Sequence, residues 1–293
     1  MELYLVDATY ELFRAHYSPG PSVHAPDGRD VKATVGLLYT LLALLREEGA
    51  THVGCATDHV IRSFRNRIFD GYKTEAGMPP ELLGQFDLAE RAMEAMGLVV
   101  WAETEFEADD ALATAAARWG GSAGVERVWI CSPDKDLAQC VRSSVVVERD
   151  RRRDRTLDEE GVRERWGVGP ASIPDYLALV GDSADGLPGL PGWGARSTSQ
   201  VLARFEHLEA IPSSVAEWHV DVRNAPGLSA VLRDRWRDAL LYRDLATLRT
   251  DVPLPQAEPE ELRWRGAHRA EFKALCAELG RAALAERPHL WQD

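Results

Sequence analysis

The chain opens on a short apolar run, Leu3-Tyr4-Leu5-Val6, that ends at Asp7, and runs of the same kind recur at 52–57, 98–101 and 127–131. Runs this short, bounded by turn residues, predict buried strands. Between them the period changes. Val35, Leu38, Leu42 and Leu45 share one helical face within 31–48, and Gly49 stops the helix. Pro79-Pro80 starts a second helix, with Leu82, Phe86, Ala89, Met93 and Met96 on its apolar face and Gly97 as its end. A further helix opens at Glu107. Strands separated by helical stretches of this length make βαβ units, so the pattern predicts an α/β fold with a parallel sheet.

The pattern shifts near residue 170. Beyond it β-branched runs thin out and helical spacing dominates, which divides the chain into 1–169 and a helical region, 170–293. The second region is interrupted by Gly186-Leu187-Pro188-Gly189-Leu190-Pro191-Gly192-Trp193-Gly194, a hairpin between two helices. Glycines here let backbone amides approach a phosphate, and a helix over 196–205 presents its N-terminus beside them, a phosphate clamp without sequence readout. Gly189, Gly192, Gly194 and Arg196 are therefore candidate phosphate contacts, which the family resemblance given below makes contacts to DNA. A nucleotide P-loop is excluded, because Gly194-Ala195-Arg196-Ser197 has no lysine and no strand precedes it.

Acidic residues mark the strand ends. Asp7 follows the first run and Asp58 the second; Glu107, Asp109 and Asp110 open a helix; Asp134 and Asp136 follow the fourth run; Asp182 and Asp185 stand before the hairpin. Each alone reads as a turn or helix cap. Together they suggest a metal site, because ligands gather outside the carboxyl ends of parallel strands and tight carboxylate pairs repel unless a cation lies between them. Hard divalent cations take oxygen ligands, and nine carboxylates suffice for two ions.

Composition bounds the answer. A chain of 293 residues with 45% hydrophobic content supports a substantial core. It lacks an apolar stretch of about 18 residues and a signal-like N-terminus, so no membrane partner and a cytoplasmic location are expected. The four cysteines show no C-x-x-C spacing, which argues against a zinc site. The net charge is −13, but the nine clustered acids carry most of it and leave −4 for the rest. Local charge matters more. Arg62, Arg65, Arg67 and Lys73 form one basic segment, and Arg149, Arg151, Arg152, Arg153 and Arg155 another, for which an exposed hairpin tip is the favoured reading.

These residues carry a family resemblance. Val6-Asp7, Thr57-Asp58, Ser63-Phe64-Arg65, Gly71-Tyr72-Lys73, Phe106-Glu107-Ala108-Asp109-Asp110, Pro133-Asp134-Lys135-Asp136-Leu137 and Gly181-Asp182-Ser183-Ala184-Asp185-Gly186-Leu187-Pro188-Gly189 resemble the ordered motifs of the flap endonuclease family. The resemblance is nearest to the 5′–3′ exonuclease domain of bacterial DNA polymerase I and its stand-alone relatives, and a stand-alone enzyme or an isolated domain is expected. The match continues to Arg243-Asp244-Leu245-Ala246-Thr247-Leu248-Arg249-Thr250-Asp251.

The resemblance implies a PIN-like nuclease core, with an arch at 60–80, joined to a helix–three-turn–helix subdomain of helix-hairpin-helix type. It implies that Asp7, Asp58, Glu107, Asp109, Asp110, Asp134, Asp136, Asp182 and Asp185 hold two Mg²⁺ or Mn²⁺ ions, and that the hairpin binds K⁺. Lys73, with Arg65 and Arg14, is expected at the scissile phosphate, with Arg62 and Arg67 on the arch. Phe64 and Tyr72 are either a stacking face for an unpaired base or core. The implied activity is 5′–3′ exonuclease and flap endonuclease cleavage of DNA with a 5′ flap, nick or 5′ end, by a monomer without sequence-specific readout. A structure-selective DNA-binding protein with weak or no cleavage is the alternative, and an RNA-directed PIN-type endonuclease would not need the hairpin. Two positions depart from the pattern: Ala76 stands where the arch carries a second basic residue, and Ala8 where a glycine follows the first Asp.

Overall fold

Asp7 ends one element and starts the next. It closes strand β1 (Glu2–Asp7), and its carboxylate accepts the Tyr10 amide at 2.8 Å to cap helix α1 (Ala8–His16). The computed structural model describes Met1–Asp293. After α1 come α2 (Lys32–Arg46), β2 (His52–Asp58), α3 (Pro80–Leu83), α4 (Phe86–Ala95), β3 (Val99–Glu103), α5 (Ala108–Trp119) and β4 (Arg127–Cys131). The helix predicted from Pro79-Pro80 to Gly97 is thus two helices. The break falls at Gly84-Gln85, where the Gln85 side-chain carbonyl accepts the Thr34 amide (3.0 Å) and hydroxyl (3.2 Å). A first-turn amide of α2, which has no partner within its own helix, is satisfied in this way.

A hairpin follows, β5 (Val146–Asp150) and β6 (Arg155–Leu157), then α6 (Glu159–Trp166), α7 (Ile173–Val180), α8 (Ala195–Phe205), α9 (Ala225–Asp234) and α10 (Trp236–Ala246). The chain ends in β7 (Ala267–His268), α11 (Arg269–Glu278) and β8 (Trp291–Gln292). The second arginine run sits at the tip of the β5–β6 hairpin, and no helix is long and apolar enough to cross a membrane.

Two compact units result. The first comprises Met1–Ser63, Glu75–Ser132 and Thr250–Asp293, the second Phe64–Thr74 and Pro133–Arg249. This differs from a division at 169/170. Residues after 250 pack with the first unit: the Trp264 indole donates to Met96 O (2.8 Å), and Phe272, Leu275 and Leu279 join the core of α2 and α4. In the first unit β1 pairs with β2 and β4, and β2 with β3, all parallel. Parallel strands carry their C-terminal ends to one edge, so Asp7, Asp58 and Glu103 gather there. The second unit has its own core, in which Leu177, Leu179, Leu202, Trp218 and Leu245 are nearly fully buried.

Candidate functional site

In the first unit the acids are held by donors. Asp7 accepts the Ser132 hydroxyl (2.8 Å) besides capping α1. Asp58 accepts the Ala108 amide (2.7 Å), Glu107 the Ser63 hydroxyl (2.7 Å), and Asp110 the Glu107 amide (3.0 Å). All four are buried, and Asp109 is half-buried. Their carboxylates thus fix the start of α5 and the ends of β1 and β2. Glu103, not anticipated from sequence, stands opposite Asp58 in the register, and burial together with the charges of Asp110 and Asp58 pushes its carboxyl up to about 7.

In the second unit the acids crowd one another. One carboxylate oxygen from each of Asp136, Asp182 and Asp185 lies within 4.8 Å of the others. Asp136 Oδ1 is buried and has no hydrogen-bond partner. Burial first, then the charges of Asp185, Asp134 and Asp182, raise the Asp136 carboxyl well above its usual range. Asp134 keeps solvent access, yet the protein packed around it and the Asp185 charge raise its carboxyl too. The lysines compensate: Lys73 Nζ lies 2.9 Å from Asp185 Oδ1, and Lys135 Nζ 2.6 Å from Asp182 Oδ2. An all-oxygen set with an unpartnered buried oxygen fits a hard divalent cation.

The segment 64–74 presents Lys73. Arg65, expected among the phosphate contacts, is instead 1% exposed and donates to Leu245 O (2.8 Å) and Thr247 O (3.2 Å), so its guanidinium anchors the segment to the end of α10. Asn66 closes the turn by donating to Lys73 O (2.9 Å), and the Lys73 amide donates to Asp185 O (3.0 Å). Gly186 has φ +78 and a Cβ there would lie 2.1 Å from Gly71 O, so the two loops meet at backbone distance. Tyr72 is core; Phe64 lies under the Arg65 and Arg249 guanidinium groups. Arg67 is exposed, and Arg62, also exposed, pairs with Glu75 (3.0 Å) beside Ala76. Arg14 bonds to Glu11 and to the Thr40 hydroxyl.

The hairpin divides into inner and outer glycines. Gly189 is buried, with no room for a Cβ against Gly181 N and Leu179 O, so it shapes the turn. Gly192 and Gly194 are exposed. They line a groove of about 910 Å³ with Arg196, Ser197, Arg223 and Asn224. Trp193 points inward and bonds to Leu228 O (3.3 Å).

Comparison with known proteins bears on this arrangement. Residues 2–167 match the 5′–3′ exonuclease N-terminal resolvase-like domain, and residues 168–270 the 5′–3′ exonuclease C-terminal SAM fold. DNA polymerase I of Mycobacterium leprae is 34% identical over 87% of this chain, and that of Rhizobium leguminosarum 35% over 86%. The chain spans only 28% and 25% of those two proteins. Among solved structures, zinc-bound T5 5′-exonuclease superposes with a TM-score of 0.66 at 16% identity, covering 98% of this chain and 100% of that one. The catalytic core of Rad2 with a DNA substrate gives 0.61 at 12%, covering 94% and 87%. The chain belongs to the 5′–3′ exonuclease family.

Proposed function

We propose that the chain is a divalent-metal-dependent 5′–3′ deoxyribonuclease of flap endonuclease type, hydrolysing phosphodiesters at 5′ flaps, nicks and 5′ ends of DNA. The observation that carries the reading is the Asp136–Asp182–Asp185 cluster, with its unpartnered buried oxygen, in a chain of this family. We assign the nine acids as ligands for Mg²⁺ or Mn²⁺, two ions in all. When bound, such ions supply an activated water and stabilise the leaving oxygen of an in-line displacement.

The chain's own residues do the rest. The acids Asp134, Asp136, Asp182 and Asp185 concentrate negative charge that a divalent cation would relieve. Lys73, held at its backbone by Asn66 and Asp185, offers its ammonium to the scissile phosphate as charge builds there. Arg67 and Arg62 steer a single-stranded 5′ end, with Arg62 muted by Glu75. Arg14 and Arg65 order the helix and loop that carry these groups. The exposed amides around Gly192 and Gly194, with Arg196, grip duplex phosphates without reading bases, and hairpin carbonyls take K⁺. The protein works as a cytoplasmic monomer.

Cleavage of end-labelled flap, nicked-duplex and single-stranded DNA, with Mg²⁺ and with chelator, tests the activity. Mg²⁺-dependent release of 5′ products from flap and nicked DNA is expected; cleavage that persists in chelator would refute the reading. Gly194→Val tests the hairpin. Gly194 has φ −123 and open space around its Cβ position, so valine fits the fold. Affinity should fall about tenfold on every duplex alike, whatever its sequence, and unchanged affinity would remove the hairpin from the interface.

A further inference from the structure

Lys135 lies between two of the acids assigned above yet has no task in the chemistry. Its ammonium sits 2.6 Å from Asp182 Oδ2, in a pair where the Asp182 side chain is 3% exposed and that of Lys135 35%. The other Asp182 oxygen is already engaged, since Oδ1 accepts the Ala184 amide at 2.9 Å. The free face of this carboxylate is thus the face Lys135 covers. Asp182 belongs to the cluster in which Asp136 Oδ1 has no partner, so the lysine contacts one member and leaves an oxygen of another without a hydrogen-bond donor.

We propose that Lys135 is a tethered counter-ion that competes with divalent metal for Asp182. The inference rests on the metal reading of the second unit. The lysine stabilises the carboxylate cluster before metal arrives, and it must leave Asp182 Oδ2 when a cation takes that oxygen. Coulomb attraction between a buried carboxylate and a contacting ammonium is strong in this setting, and a doubly charged ion is repelled by the same ammonium. Both effects weaken metal binding. Removing the charge should therefore produce two opposite changes: the metal-free protein loses stability, and the protein binds metal more tightly. An ordinary structural ion pair would give only the first.

The test is Mn²⁺ binding to the whole chain without DNA, by calorimetry, for wild type, Lys135→Met, Lys135→Gln, Lys135→Arg and Asp136→Asn, with thermal melts of each in chelator. Lys135→Met and Lys135→Gln should bind Mn²⁺ about tenfold more tightly, while melting below wild type in chelator and closer to it in saturating Mn²⁺. Lys135→Arg, which keeps the charge, should bind as wild type does. The gain should shrink as salt rises. Unchanged or weaker Mn²⁺ affinity in Lys135→Gln, with Asp136→Asn still impaired, would overturn the counter-ion proposal and leave the metal site standing. Should Asp136→Asn bind Mn²⁺ as wild type does, or wild type bind none, the metal reading falls and this proposal with it.

Discussion

The acids of the two units are alike in type and opposite in circumstance. In the first unit Asp7, Asp58, Glu107 and Asp110 accept amides and hydroxyls at 2.7–3.0 Å, and these bonds hold helix starts and strand ends in place. In the second, Asp136, Asp182 and Asp185 face one another, one oxygen has no partner, and two lysines supply the compensation. A carboxylate can thus be satisfied by the fold's own donors, or be held among other carboxylates at a cost to the fold. The first arrangement stabilises the protein as it stands; the second holds repulsion that a bound cation would release.

The largest effect expected from this contrast is stabilisation by metal. A ligand that binds only the folded state adds about 2.7 kcal/mol at a concentration one hundred times its Kd. Saturating Mn²⁺ should raise the melting temperature of wild type well above its value in chelator, and Asp136→Asn should lose most of that rise. An equal rise in both would show that the crowded cluster is not where the metal binds.

Next in size is the sign of the change when single acids are neutralised in chelator. Asp7→Ala deletes the cap of α1 and the acceptor for Ser132, and should cost about 1 kcal/mol. Asp136→Asn removes a charge that Asp185, Asp134 and Asp182 all oppose, so the metal-free melting temperature should rise. Melts of the two variants that shift in the same direction would erase the distinction between the units.

The narrowest effect, seen only at alkaline pH, concerns Glu148 on β5, whose side chain is fully buried with neither oxygen hydrogen-bonded and the Arg165 guanidinium at 3.5 Å. Burial pushes its carboxyl up to about 8, with the Arg165 charge only partly opposing this. A raised folded-state value means that the folded protein holds a proton the unfolded chain has already lost. Stability therefore falls as pH rises from the ordinary carboxyl range through about 8. Glu148→Gln removes that slope and should gain roughly 1–2 kcal/mol over wild type at pH 8.5 and little at pH 5. A pH-independent difference between the two melts would show that the Glu148 proton plays no part.

Much of this was legible in the chain. The strands of the parallel sheet announced themselves as apolar runs, and the acids lay where those runs stop, because a strand end is set by local pattern. The helix α1 was not anticipated: it has nine residues and starts directly at Asp7, without a loop to mark it. The return of Thr250–Asp293 to the first unit was equally hidden, since Trp264 and Phe272 declare their partners only in three dimensions. Arginines at 62, 65 and 67 read alike in sequence, yet Arg65 is buried on backbone carbonyls and Arg62 is paired with Glu75. Glu148 carries no mark in the sequence and is fully buried. Burial and pairing depend on contacts far along the chain, which spacing does not encode.

The central claim is that the crowded acids of the second unit serve metal-dependent cleavage, and single-turnover hydrolysis of a 5′-labelled flap by Asp136→Asn in Mg²⁺ tests it most directly. The account predicts a rate lower by roughly two orders of magnitude or more, in a protein that binds the flap DNA as wild type does and melts no lower in chelator. Near-wild-type hydrolysis by this variant would contradict it.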